Sequence, residues 1–200
     1  MLLPRLRSFD VVCFQELFET GNQFVHEFLE SMYDSGFVHR ASIPHAGITT
    51  LSRYAIQQTH SQVFASGLFP DSWIPKGVLH TRICNVDIFN THFQASYAWN
   101  KHCLPSVHMH QLNTLRECIR MWVHDYSLVG GDFNMSCPHL DRFSRISPEL
   151  PTTIDTRECL DHALVAGIRA TCRLEPFEIS SSGIPWGHLS DHVGLIVNIH

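Results

Sequence analysis

Charge is scarce in this sequence of 200 residues. Only 16% of positions are charged, with 14 Lys and Arg against 19 Asp and Glu, for a net charge of −5. That balance argues against a broad nucleic-acid footprint, although it leaves room for a local basic groove. Long apolar runs are also missing, and none approaches the ~20 residues of a membrane-spanning helix. Met1-Leu2-Leu3-Pro4-Arg5-Leu6-Arg7 lacks the continuous apolar core of a signal peptide. The seven cysteines are odd in number and include no C-x-x-C pair. This excludes a paired disulfide framework and a zinc finger, and favours a reducing compartment. Fifteen histidines are present without any H-E-x-x-H spacing. His108 and His110 read as a solvated helix start. There are no repeats, no low-complexity tracts and no linker. The expectation is one cytoplasmic domain over residues 1–200.

What is present suits a packed core, since 44% of the residues are hydrophobic. Asp10-Val11-Val12-Cys13-Phe14-Gln15-Glu16 is a compact apolar run, expected as an inner strand that delivers Glu16 at its end. Residues 21–35 carry Phe24, Val25, Phe28, Leu29 and Met32 at helical spacing, with Gly36 as the stop. Residues 47–54 and 61–66 are β-rich. Val78–Ile83 and Val86–Phe93 flank Cys84-Asn85, which predicts an antiparallel hairpin ending near His92. Leu112, Leu115, Ile119 and Trp122 mark a second helix over 106–124. Further strands are expected at 128, 161–165, 170–179 and 192–199. Nine strands and two main helices suit two packed sheets with outer helices. The loop 67–75 holds Leu68, Phe69, Trp73 and Ile74, an apolar patch suited to a lipid interface or a partner.

Val129-Gly130-Gly131-Asp132-Phe133-Asn134 carries the chemistry. The glycine pair is expected to halt a buried strand. In extended geometry Asp132 and Asn134 then share a face while Phe133 packs inward. A carboxylate beside a carboxamide suits gripping a water and a phosphoryl oxygen. Four other polar clusters fall at strand ends: Glu16, His92, Asp161 and the Asp191-His192 pair. Arg53 lies at another strand end, within reach of a phosphate or as a plain surface cation.

Taken in order, Val11-Val12-Cys13-Phe14-Gln15-Glu16, Leu51-Ser52-Arg53-Tyr54, Asn90-Thr91-His92, Gly131-Asp132-Phe133-Asn134, Leu160-Asp161-His162 and Ser190-Asp191-His192 resemble the endonuclease/exonuclease/phosphatase superfamily. These are metal-dependent phosphoesterases built like pancreatic deoxyribonuclease. Pro75-Lys76-Gly77-Val78-Leu79 and Asn90-Thr91-His92-Phe93-Gln94-Ala95-Ser96 look like elements of neutral sphingomyelinases. The resemblance implies an α/β (α+β) fold in which two mixed β-sheets pack as a sandwich with helices on the outer faces. It also implies Mg²⁺, or Mn²⁺ in its place, bound by Glu16 with Asp191 close by. His192 would be the general base, oriented by Asp161, with Asp132 and Asn134 positioning water and phosphoryl group. His92 would donate to a phosphoryl oxygen, and Arg53, Trp73 and Trp186 would touch the substrate. That substrate would be a choline phospholipid such as sphingomyelin at a membrane surface, cleaved to ceramide and phosphocholine. A nuclease, an inositol-phosphate phosphatase and an inactive remnant acting as a binding protein are the alternatives. One departure stands out: members of the superfamily begin with an additional strand bearing an Asn near the metal. Here nine residues precede Asp10 and none is Asn, so the first family strand is expected to be missing and a sheet edge left open.

Overall fold

The computed structural model describes residues 3–65, 67–69, 72–97, 99–136, 138–154, 156–175 and 190–200. Its larger layer is a six-stranded sheet of order β4-β5-β6-β7-β9-β8. These strands are β4 (Ile56–Val63), β5 (Gly77–Ile83), β6 (Val86–His92), β7 (Tyr126–Asp132), β8 (Ser144–Arg145) and β9 (Asp161–Ala166). β6 and β7 run parallel and all other neighbours antiparallel. The facing layer comes in two pieces. One is β1 (Val11–Phe14), β3 (Ile48–Ser52) and β2 (His39–Ile43); the other is β10 (Ala170–Glu175) with β11 (Gly194–Ile199).

Helices cover the two outer faces. The single turn α1 (Leu3–Leu6) and α2 (Gln23–Asp34) lie on the smaller layer, where Leu6, Leu29 and Met32 bury against Phe37 and Leu51. The Asn22 side chain caps α2 by accepting from the Val25 amide. Phe24, expected in the core stripe, is 83% exposed instead. It stands one helical position off the buried arc of Val25, Leu29 and Met32. α3 (Leu104–Trp122) packs Leu112, Leu115 and Ile119 onto Phe89, Phe93, Val129 and Leu164 of the larger sheet. It begins earlier than the sequence suggested, and His108 is buried with its Nε2 2.7 Å from the Gln94 carbonyl. Only His110 of that pair is solvated. Between the layers, Ala41, Ile43 and Ile48 meet Leu79.

Two local features place the site. Cys84 and Asn85 both take positive φ, the geometry of a tight hairpin turn that sets the β5–β6 register. The glycine pair does not halt β7, which runs through it to Asp132. Gly131 has φ +142°, and a Cβ there would lie 2.0 Å from the Thr91 carbonyl oxygen. Glycine is therefore what allows β6 and β7 to close together at their site ends.

Candidate active site

Register builds the centre of the site. His92 on β6 stands opposite Asp132 on β7, and Asp132 stands opposite Asp161 on β9. Because side chains alternate along strands, the three groups form one row on the face turned to the smaller layer. β6 and β7 deliver theirs at the C-terminal end, and antiparallel β9 supplies Asp161 at its start. Glu16 comes from the opposite layer, just after β1, with a left-handed backbone (φ +60°) held by Leu17 donating to the Gly47 carbonyl. Asn90 ties the two layers together. Its buried amide donates to the carbonyls of Phe14 and Thr49 and its oxygen accepts from Gln15.

His192 reaches the row from the other side. Its Nδ1 lies 2.7 Å from Asp161 Oδ2. Residues 152–154 pin it there: Val193 donates to the Thr152 carbonyl and Ile154 to the Asp191 carbonyl. The Thr152 hydroxyl also accepts from the amides of Leu160 and Asp161, which fixes the carboxylate's own strand. Burial works to lower the His192 pKa, but the hydrogen bond and charge of Asp161, with the charges of Asp132 and Asp191, raise it to about 9. Burial and the facing Asp161 carboxylate push Asp132 up to about 7.

Asp132 and Asn134 do come together, though not in the extended geometry expected. Asn134 adopts φ +50°, folding back so that its amide N–H donates to Asp132 Oδ1. Its Nδ2 donates to Asp132 Oδ2 and to the Phe93 carbonyl. A left-handed turn, which Asn tolerates better than most residues, replaces the strand continuation. Phe133 is fully buried, as expected.

His92 differs from expectation in its protonation. Lys76 Nζ lies 3.2 Å from His92 Nε2, and both side chains are buried. An ammonium only donates, so Nε2 accepts from it, while Nδ1 is buried without a hydrogen-bond partner among the described residues. Burial, then the charges of Lys76 and His192, lower the His92 pKa to about 3. The positive charge in this corner thus belongs to Lys76, beside His92. Lys76 is the site residue the sequence reading did not select. Its signal was a lysine between Pro75 and Gly77 at the mouth of an apolar strand.

The remaining candidates separate. Asp191 is exposed and lines the same cleft as Glu16, Asp161 and His192. Arg53 does not face it. Its three guanidinium nitrogens donate to the carbonyls of Phe9, Ser35 and Arg7, and the group stacks on Phe37. Arg53 is a clamp inside the smaller layer, away from the cleft that holds Glu16, Asp161 and His192. Trp73 is 79% exposed and packs edge-on against Phe69, which in turn meets Trp99. Trp186 lies outside the described residues.

The donor set suits a hard divalent cation. Glu16 presents an exposed carboxylate 3.8 Å from His92 Nε2, and Mg²⁺ takes oxygen ligands while keeping several waters. Among the described residues no three His, Cys, Asp or Glu side chains form a ready cage. Such an ion would therefore be held by Glu16 and water, with Asp191 nearby.

Comparison with known proteins places the chain in a family and identifies structures of like fold. The sequence profile of the Endonuclease/Exonuclease/phosphatase family matches residues 2–192. A sphingomyelinase of Dictyostelium discoideum is 31% identical over 116 residues, covering 46% of this chain and 25% of its own length. Sphingomyelinase C of Bacillus cereus is 32% identical over 98 residues, covering 45% and 29%. The chain thus spans less than a third of the curated relatives it matches. In structure, beta toxin from Staphylococcus aureus superposes with a TM-score of 0.82 at 14% identity, over 97% of this chain and 88% of that one. A variant of that toxin was solved with bound magnesium ions.

Proposed function

The chain belongs to the endonuclease/exonuclease/phosphatase family, and from that premise we propose that it is a metal-dependent phosphodiesterase of the sphingomyelinase type. The observation that carries this reading is the His92–Asp132–Asp161 row with His192 locked to Asp161 at 2.7 Å, facing Glu16 across the layers. Asp161 occupies Nδ1 of His192 and leaves Nε2 to take the proton of an attacking water when the ring is neutral, the minor form at neutral pH for a pKa of about 9. The carboxylates that raise the His192 pKa also steady the imidazolium formed in that step. Asp132, braced by Asn134, holds the water and phosphoryl group in line. Lys76 sets positive charge behind the phosphoryl oxygens, with His92 as its neutral acceptor. Mg²⁺ or Mn²⁺ bound at Glu16 would neutralise a phosphate oxygen and stabilise the leaving oxygen.

Support for a choline phospholipid comes from the aromatic patch. Phe69, Trp73 and Trp99 are exposed on two adjoining loops, and the Leu68 amide donates to the Gln94 side chain, two residues beyond His92. Aromatic rings of this kind suit a bilayer interface and a quaternary ammonium. We place the protein at the cytoplasmic face of a membrane, bound peripherally; among the described residues no helix is long and apolar enough to cross one. A nuclease of the same family is disfavoured by only 14 Lys and Arg in a chain of net charge −5.

Hydrolysis of sphingomyelin vesicles and of plasmid DNA, each with Mg²⁺ and with a chelator, tests the proposal. Phosphocholine release that requires the metal is expected. Metal-dependent nicking of DNA alone would transfer the reading to a nuclease, and turnover of neither substrate by folded protein would end it.

A further inference from the structure

We infer that Gln94 is a positioning residue whose buried side chain ties the geometry of Asp132 and Asn134 to the seating of the aromatic loops. This role rests on reading the His92–Asp132–Asp161 row as the catalytic centre. Phe93 is the first residue after β6. Its amide donates to the Asp132 carbonyl at 2.9 Å, and its carbonyl accepts from Asn134 Nδ2 at 3.0 Å. The same Asn134 braces both oxygens of the Asp132 carboxylate. A shift of the Phe93 backbone is therefore passed to the pair assigned to water and phosphoryl group.

Gln94 follows directly, and three parts of the fold meet on it. Its amide donates to Gln111 Oε1 at 3.0 Å, and its carbonyl accepts from His108 Nε2 at 2.7 Å. His108 and Gln111 lie one turn apart on α3, and Leu112 and Leu115 fasten that helix to the larger sheet. The backbone of Gln94 is thus referenced to a rigid element, while its side chain serves the loops. The side-chain oxygen accepts from the Leu68 amide at 2.8 Å, and Nε2 donates to the Ala95 carbonyl at 3.2 Å. Asn100 Nδ2 donates to that carbonyl too, and Asn100 Oδ1 accepts from the Tyr97 amide. Tyr97 stacks on Trp99, whose ring meets that of Phe69. One carboxamide therefore joins both loops of the aromatic patch to the strand end that holds the site. Gln94 and Gln111 are fully buried, and an apolar side chain of equal size would fill the space with no amide to satisfy. What the carboxamide adds is direction, since bonds made away from water fix one arrangement of loop against strand end. Phe93 is equally buried, its ring packed on Phe64 and Phe133, so close packing transmits a displacement there and does not absorb it.

Gln94→Met keeps the length of the side chain and removes both of these bonds. Amide hydrogen exchange reads the result independently of hydrolysis. Exchange at Leu68, Phe93 and Asn134 is expected to rise about tenfold or more, with Ile88 and Leu128 towards the far ends of β6 and β7 unchanged. Leu68→Pro removes the loop donor from the other side of the bond. It should raise Asn134 exchange as well, and the double variant should add nothing further. In the hydrolytic reaction, Gln94→Met should lower kcat about tenfold with KM within about twofold. Faster exchange confined to Leu68 makes Gln94 a strut for the loop and overturns the proposal, as do additive effects of the two changes. An unchanged kcat beside coupled exchange also overturns it. Should Gln94→Met fail to fold, unchanged Asn134 exchange in Leu68→Pro overturns it alone. Coupled exchange in wild-type protein that hydrolyses no phosphodiester supports the link and overturns the catalytic reading beneath it.

Discussion

The six-stranded sheet carries a buried aspartate at each end of β6 and β7, and the two are treated in opposite ways. Asp87, near the β5–β6 turn, is fully buried and surrounded by donors: His80 Nε2 at 2.9 Å, Arg82 at 3.2 Å, and the His124 amide at 2.7 Å. Burial alone would raise its pKa, but these bonds outweigh burial and lower it. Asp132, at the other end, accepts hydrogen bonds from Asn134, has His92 Nε2 3.6 Å away, faces a second carboxylate and is pushed up to about 7. A satisfied buried charge holds structure together. One left short of compensation is poised to exchange protons or accept a ligand's hydrogen bonds.

The sharpest way to break this contrast is to remove the base at the poised end. His192→Ala should cut phosphodiester turnover about 10²–10⁴-fold with little change in melting temperature. A variant retaining near-normal rates removes His192 from the reaction. Asp87→Ala should do the converse. Stripping the buried carboxylate from its cations should lower unfolding free energy by about 3 kcal/mol, read by denaturant titration, while the rate of the folded fraction stays within about twofold. Thr152→Val leaves the Leu160 and Asp161 amides without their acceptor, at a cost of about 1–2 kcal/mol. Because these amides anchor Asp161, a drop in turnover at unchanged substrate affinity is expected alongside. The smallest effect is on acid stability. Burial holds the His108 and His162 pKa values below 6.5. The unfolded chain takes up protons as pH falls through about 6.5 while the fold resists them, so stability should decline from pH ~7 to ~5. Melting temperatures flat across that range would contradict the assignment.

Strand-end chemistry was legible in the sequence because short apolar runs ending in Glu16, His92 and Asp132, or opening with Asp161, state both an element and the place where it stops. What escaped depended on partners distant in sequence. β2 was hidden because His39, Arg40 and Ser42 break its apolar pattern, and β3 alone makes it a strand. Arg53 matched a motif, yet it is turned onto the carbonyls of Arg7, Phe9 and Ser35, which no linear pattern reveals. The Lys76–His92 contact joins two strands across a hairpin, and it reverses which residue brings the positive charge. Asn134 was placed on the right neighbour for the wrong reason, since the turn that folds it onto Asp132 depends on an acceptor from Phe93. Asp87 carried no motif and became recognisable only once β5, β6 and the segment at His124 met around it.

Asn90 has a mechanical consequence. The metal-suited carboxylate rides on one layer and the acid–base row on the other, so the distance across the reaction centre is a distance between two sheets. One buried carboxamide, bonded to Phe14, Gln15 and Thr49, sets that spacing just below the site. Sliding of one layer over the other is then the softest motion that changes the geometry of Glu16 against His92 and Asp132, and Asn90 is the pivot that limits its stroke.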